Sequence, residues 1–204
     1  LLLSKSKDVD YISILDSNPK ITHTVFPANY MNYDLIAGVD ALELLEVNID
    51  AFNSLRAFHL QHKDWLFGYL SYDLKNEVEQ LNSKNHDGIR AASLSFFIPK
   101  YVLLLNGNKL VIHTYETKEK CRQFLVKLEI NSEEQISGII LQQRESKDVY
   151  LQKLAQIKRH IQRGDIYEMN YCQEFFAREI SLNPAAIFQR LNKNTTTPFS
   201  SFLK

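Results

Sequence analysis

Tyr150, Leu154, Ile157 and Ile161 recur at steps of four, three and four residues, the repeat of a helix with one apolar stripe. Ser146 stands where an N-cap belongs, and Asp148 falls in the first turn. Lys158, Arg159, His160 and Arg163 crowd the last turns, where the carbonyl end of the helix dipole favours positive charge. Gly164 follows, able to take the left-handed backbone that closes a helix. From Ile166 the period changes to two: Tyr167, Met169 and Tyr171 alternate with Glu168, Asn170 and Cys172, and the pattern continues through Gln173, Glu174, Phe175 and Phe176. That alternation predicts a strand packed through its tyrosine-bearing side.

The remaining pattern divides the same way. Residues 9–16 read as a strand ended by the turn cluster Asp16-Ser17-Asn18-Pro19, and residues 33–38 as a second short strand. Residues 49–62 keep helical spacing. Residues 65–74 form a strand apolar on both sides, which predicts a central position covered twice. Two β-rich runs, 96–105 and 109–115, flank Asn106-Gly107-Asn108 and predict a hairpin. Residues 117–128 predict a helix with Thr117 as its cap and Cys121 on its apolar side. Residues 138–143 read as a strand, and Asn183-Pro184 opens a helix running to about residue 191. Strands outnumber helices and several are adjacent, so the expected class is α+β, mainly antiparallel and β-sandwich-like, flanked by helices.

Composition narrows the function classes. Of 204 residues, 45% are hydrophobic and 24% charged, ordinary for a globular chain with a proper core. Lys plus Arg equal Asp plus Glu at 24 each, so no global field recruits nucleic acid or an anionic membrane. Two cysteines, Cys121 and Cys172, build neither a disulfide framework nor a thiolate zinc site, and fit a reducing cytoplasm. No apolar run reaches the length of a membrane span. The opening Leu1-Leu2-Leu3 without an initiating Met, and the apolar ending 198–204, suggest a fragment of a longer chain.

Chemistry is sparse. There is no Gly-rich phosphate loop, no serine elbow and no His-Glu-x-x-His. His59 and His62 are spaced i, i+3 near a helix end with Asp64 close by, which can hold a metal if a third ligand folds over, but such spacing more commonly marks a solvated helix end. Glu168, Asn170 and Glu174 share one strand side, where alternation alone yields solvated positions as readily as a polar cavity.

Three stretches carry a resemblance. Ile14-Leu15-Asp16-Ser17-Asn18 is similar to an early Leu-(Asp/Glu)-Ser segment. Residues 65–73, containing Gly68-Tyr69-Leu70-Ser71-Tyr72-Asp73, look like a Gly-Tyr-x-x-Tyr-Asp strand. Residues 150–176, with Gly164-Asp165-Ile166-Tyr167 and Asn170, look like a helix running into Gly-Asp-Ile-Tyr-Gln-x-Asn. In this order they resemble component I of aminodeoxychorismate synthase and its relative, anthranilate synthase component I. Phe96-Phe97-Ile98-Pro99 resembles the aminodeoxychorismate branch.

The resemblance implies an amino-terminal β-rich subdomain over residues 1–145 and the start of a chorismate-binding domain over 146–204. It implies an enzyme that aminates chorismate with ammonia on the route to p-aminobenzoate and folate, using Mg²⁺ and a glutamine amidotransferase subunit as partner. Its catalytic lysine and magnesium carboxylates are expected beyond Lys204, leaving this stretch inert alone. The alternatives are anthranilate synthase component I and a non-catalytic module that binds an aromatic amino acid or docks a partner. A tryptophan-like pocket is implied between Leu15, Asp16 and Ser17 on one side and Pro198 and Phe199 on the other, with Tyr30 and Tyr33 as aromatic walls. Thr195-Thr196 stands where the family has Asn-Pro, and Glu168 where it has Gln.

Overall fold

A computed structural model of the chain describes residues 2–18, 32–79, 81, 85–128, 138–195 and 197–204. Two compact units emerge: Leu1–Glu134 together with Pro184–Lys204, and Gln135–Asn183. The resemblance implies a division at residue 145; by compactness, residues 184–204 fall in the first unit, where their strand hydrogen-bonds to the first strand of the chain.

In the first unit a 3₁₀ turn, Leu2–Lys7, leads into β1, Ile12–Asp16. β2, Leu35–Val47, is far longer than the six residues its sequence pattern marks. Helix α1, Ala51–His62, and strand β3, Phe67–Leu70, follow. A 3₁₀ turn, Tyr72–Leu74, then runs into the single-turn helix α2, Lys75–Val78. β4, Leu94–Asn106, and β5, Lys109–Thr114, form the expected hairpin around Gly107 and Asn108. Helix α3, Lys118–Val126, is capped by the Thr117 hydroxyl, which accepts from the Lys120 amide.

The later elements are β6, Gln142–Gln143, α4, Lys147–Arg163, and β7, Phe175–Phe176, all in the second unit. Helix α5, Pro184–Thr195, and strand β8, Ser200–Leu203, belong to the first. The antiparallel α+β character is as expected. One six-stranded sheet runs β3-β4-β2-β1-β8 with β5 also paired to β4, and β6 and β7 make a separate ribbon.

The stretch around Phe67 is not the central strand its two apolar sides predict. β3 pairs only with residues 94–97 of β4, while β5 takes residues 101–106 of the same strand. Two short strands thus share the long β4, and Pro99 lies in the gap between their registers, where a strand tolerates a residue lacking an N–H. Opposite Pro99 the β2 register shifts between Ala41 and Glu43, and Asp40 takes a positive φ of 62°. Close approach explains Gly68: a Cβ there would stand 2.0 Å from the Ser95 carbonyl and 2.6 Å from the Phe96 Cα.

Alternation sorts the sheet into two faces. Ile12, Ile14, Ala37, Val39, Tyr101 and Leu103 face one way and pack with Ala185, Phe188, Phe124 and Leu3 from the surrounding helices. Phe67, Phe97, Val102 and Leu104 face the other, with Tyr11, Ile36 and Val111. Burying side chains of this size contributes about 1.5–3 kcal/mol each, which makes the helix-covered face the principal source of stability in this unit.

In the second unit Ser146 caps α4 by accepting from the Val149 amide, and Gly164 closes it at φ 79°. No residue of α4 is fully buried: Tyr150, Leu154 and Ile157 are half-covered and Ile161 is exposed. Strand 166–176 does not form. Only Phe175–Phe176 pairs, with Gln142–Gln143, and Tyr167 is 92% exposed. A period of two needs a neighbouring strand to become a strand, and among the described residues this stretch has one only at its end. The strand expected over 138–143 shortens for the same reason. Among the described residues, no helix is long and apolar enough to cross a membrane.

Candidate functional site

The end of β1 and the segment before β8 meet. β8 pairs antiparallel with β1, setting Asp16 against Ser200 and Leu15 against Ser201. Beyond the strand, the Asn18 amide donates to Asp16 Oδ1 at 2.8 Å, an Asx turn that fixes the carboxylate. Asn18 adopts φ 49°, a conformation that asparagine tolerates better than most residues.

A side-chain network completes the corner. Asn192 Nδ2 donates to Asp16 Oδ2 at 3.0 Å, and Asn18 Nδ2 donates to Asn192 Oδ1 at 2.8 Å and Ser200 Oγ at 3.0 Å. Asn18 Nδ2 also reaches the Thr197 carbonyl, and the Ser200 hydroxyl donates to Asn192 Oδ1. Asn192 arrives on α5 seven residues after Ala185 and four after Phe188, so an amide occupies the helix stripe otherwise given to the core. That polar residue on an apolar stripe is the sequence signal that reasoning from motifs missed.

Next to this corner lies a cavity of about 570 Å³. Its sheet wall is Ile14, Leu35, Leu103 and Leu105, and its helix wall includes Phe188. Asp16, Asn18 and Asn192 line it as well, with Gln189 and Lys193 from α5. The site therefore offers aliphatic walls and one polar corner holding a carboxylate.

The residues expected to form one pocket separate. Asp16 lies on the helix-covered face and lines the cavity, whereas alternation turns its neighbours Leu15 and Ser17 to the opposite face. Leu15 is 44% exposed there. Both the amide and the hydroxyl of Ser17 donate to the Asp34 carbonyl at 2.9 Å, directly after Tyr33. Pro198 is half-buried beside the pairing of Asp16 with Ser200, and Phe199 is 67% exposed. Tyr30 lies outside the described residues. The β1–β8 pairing thus brings the Leu15–Ser17 and Pro198–Phe199 segments side by side, but Asp16 does not share a face with Leu15.

The other motifs have local explanations. Tyr69 of the Gly-Tyr-x-x-Tyr-Asp stretch has its hydroxyl pushed above the usual 10.0, first by burial and then by the charge of Glu46. Tyr72 is exposed, with the Lys75 ammonium 4.8 Å from its ring centroid and 2.8 Å from Asp73. In the second unit His160 Nδ1 lies 2.7 Å from the Asp165 carboxylate, pinning the turn after Gly164. Glu174 is held bidentately by Arg144, at 2.7 and 2.8 Å. Tyr171 stacks on Tyr150 with ring centroids 5.1 Å apart and donates to Glu145 at 2.8 Å.

His62 Nε2 stands 3.2 Å from the Glu43 carboxylate and its ring rests on Phe58, while Asp64 accepts from Tyr115. Among the described residues no group of three or more His, Cys, Asp or Glu can hold a metal ion.

Comparison with known proteins adds two findings. A family model described as chorismate binding enzyme matches residues 15–204. Over 147 residues the chain is 28% identical to an anthranilate synthase component I-like protein of Synechocystis sp., an alignment covering 69% of this chain and 30% of that protein. The chain spans less than a third of that relative's length.

Proposed function

The chain belongs to the chorismate-binding enzyme family, and from that premise we propose that it is the amino-terminal part of aminodeoxychorismate synthase component I. The whole protein then replaces the ring hydroxyl of chorismate by the nitrogen of ammonia, releasing water and yielding 4-amino-4-deoxychorismate. Ammonia comes from a glutamine amidotransferase subunit, and the catalytic residues and magnesium ligands are contributed by polypeptide outside this stretch. The observation that carries the proposal is the family match over residues 15–204. The branch assignment rests on Phe96-Phe97-Ile98-Pro99, which sits in β4 where Pro99 separates the β3 and β5 registers.

The role proposed for this stretch is to hold a regulatory wall. Leu15 and Ser17, with Tyr33, Pro198 and Phe199 nearby, offer apolar and aromatic surface for the ring of an aromatic amino acid such as tryptophan. The β1–β8 pairing supports this, since it places both segments at one sheet edge.

Anthranilate synthase component I is the second reading, favoured by the similarity to the anthranilate synthase component I-like protein of Synechocystis. Incubating the full-length protein with chorismate, ammonium and Mg²⁺ distinguishes them. A product that aminodeoxychorismate lyase converts to p-aminobenzoate is expected; fluorescent anthranilate would transfer the protein to the second branch, and the absence of any chorismate turnover would remove both. Calorimetry with tryptophan tests the regulatory wall separately, with saturable heat expected and lost on Ser17→Trp.

A further inference from the structure

We propose that Asn106-Gly107 is a self-modification site, where the Gly107 nitrogen displaces ammonia from the Asn106 side chain and leaves aspartate or isoaspartate behind. It is the one Asn-Gly pair in the sequence. Asn106 ends β4, Gly107 opens the turn at φ 54°, and both are exposed to water. Glycine stands there because the turn needs a positive φ, and its missing Cβ leaves the nitrogen uncrowded. The carboxamide carbon and the attacking nitrogen belong to neighbouring residues, so closing a five-membered ring costs little entropy.

Residues 32–34 hold both reacting groups. Asp34 Oδ2 accepts from the Gly107 amide at 2.6 Å, and the Asn32 carbonyl accepts from Asn106 Nδ2 at 2.8 Å. Asp34 is fixed in turn, because its own amide donates to the Leu105 carbonyl at 2.8 Å. A carboxylate bonded to the attacking N–H stands where a general base belongs.

The chemistry balances with water alone. The Gly107 nitrogen bonds to Asn106 Cγ as its proton passes to Asp34. The Cγ–Nδ2 bond then breaks, and that proton departs on the ammonia. Water opens the succinimide at Cγ to give aspartate, or at the Asn106 backbone carbonyl to give isoaspartate.

Conversion reverses the hydrogen bonding of this corner. A donor facing the Asn32 carbonyl becomes a carboxylate, so acceptor meets acceptor and a second negative charge is set near Asp34. Isoaspartate also lengthens the backbone directly after Leu105, whose carbonyl holds the Asp34 amide. The Asp34 carbonyl accepts from both the amide and the hydroxyl of Ser17 at 2.9 Å. Modification at the hairpin therefore loosens the anchor at the end of β1.

The 204-residue chain, aged at several pH values and mapped by peptide mass spectrometry, tests this. The peptide holding Asn106 is expected to gain the mass of an amide turned into an acid, and to be labelled by protein-isoaspartate methyltransferase. Asp87-Gly88 rearranges without a mass change and serves as the internal reference. Asp34→Asn keeps an acceptor on the Gly107 amide but removes the base. It should slow conversion relative to that reference by about tenfold or more. It should also turn a shallow rise with pH into proportionality to hydroxide. Asn106→Gln should abolish the mass gain. Hydrogen exchange at the Asp34 and Ser17 amides should be faster in the converted protein. No mass gain at this peptide would overturn the site. Conversion as fast in Asp34→Asn, or already proportional to hydroxide in the parent, would overturn the role of Asp34. Unchanged exchange at both amides would overturn the coupling to β1.

Discussion

The side-chain amide of Asn192 donates to Oδ2 of Asp16 at 3.0 Å, tying α5 to the end of β1 across 176 positions of sequence. The pair holds the β8 segment in place as well, because Asn18 and Ser200 both bond to the Asn192 carbonyl oxygen. Replacing Asn192 by Ala removes the hydrogen bond to Asp16 Oδ2 and the acceptor shared by Asn18 and Ser200, at a cost of about 1–3 kcal/mol. Urea unfolding should show this loss. Asn192→Asp should cost more at pH 7 than at pH 4, since it sets two carboxylates together; an equal loss at both pH values would show that the amide merely fills space.

Gly68→Ala forces a methyl group to within 2.0 Å of the Ser95 carbonyl, a clash with backbone that no rotamer relieves. The expected result is separation of β3 from β4 and a loss of about 1–3 kcal/mol or more. Trp65 reports on it directly, because its ring stacks near Phe67 and His113 at 6.3 and 6.4 Å. Its emission should shift to the red in the variant, and unchanged emission with unchanged stability would contradict the close approach.

Gly164 ends α4 at φ 79° with nothing within 4 Å of an added Cβ, so only backbone strain opposes substitution there. Gly164→Ala should cost about 1–2 kcal/mol, and Gly164→Asn less, because asparagine takes the left-handed region more readily. Circular dichroism through a urea titration measures both. Alanine proving as stable as glycine would mean that the helix ends differently in solution.

Glu145 has its carboxyl held below the usual 4.5, first by the hydrogen bond from the Lys153 ammonium and then by that from the Tyr171 hydroxyl. A carboxylate with a lowered folded-state value contributes stability above its unfolded value and loses it as pH falls through the folded value. Acidification below the usual carboxylate range should therefore loosen Tyr171 from Tyr150, seen as sharpening of the two ring signals by NMR. Glu145→Gln should show the loosened signals already at neutral pH, with no further change in acid.

Much of the local structure was legible before folding was considered. Ser146 and Gly164 bracket α4 as their positions imply, Thr117 caps α3, and Asn106-Gly107-Asn108 turns the hairpin. These features depend on residues close in sequence, whose caps and backbone preferences act over one or two turns. The stretch after Gly164 misled for the opposite reason. Its alternation of tyrosines and acids fits a strand, but a strand requires a partner, and among the described residues only Phe175–Phe176 finds one.

The candidate site was legible only in part. The motif Leu15-Asp16-Ser17 lies at the end of β1, and the pairing with β8 brings Pro198 and Phe199 beside it. Reading the three residues as one wall overlooked the pleat, which sends Asp16 to the helices and its neighbours away from them. Asn192 was invisible in that reading, since its role depends on which residue α5 sets opposite it.

What the sequence by itself determined is where helices begin and end, which turns are tight, and which family the chain resembles, because short-range sterics and hydrogen bonds settle these. Only the tertiary structure decided that β3 and β5 share one side of β4, that Asp16 bonds to Asn192, and that leucines from distant segments enclose a cavity. Those outcomes depend on strand register and on surfaces hundreds of atoms apart meeting in space, and no window of neighbouring residues contains that information.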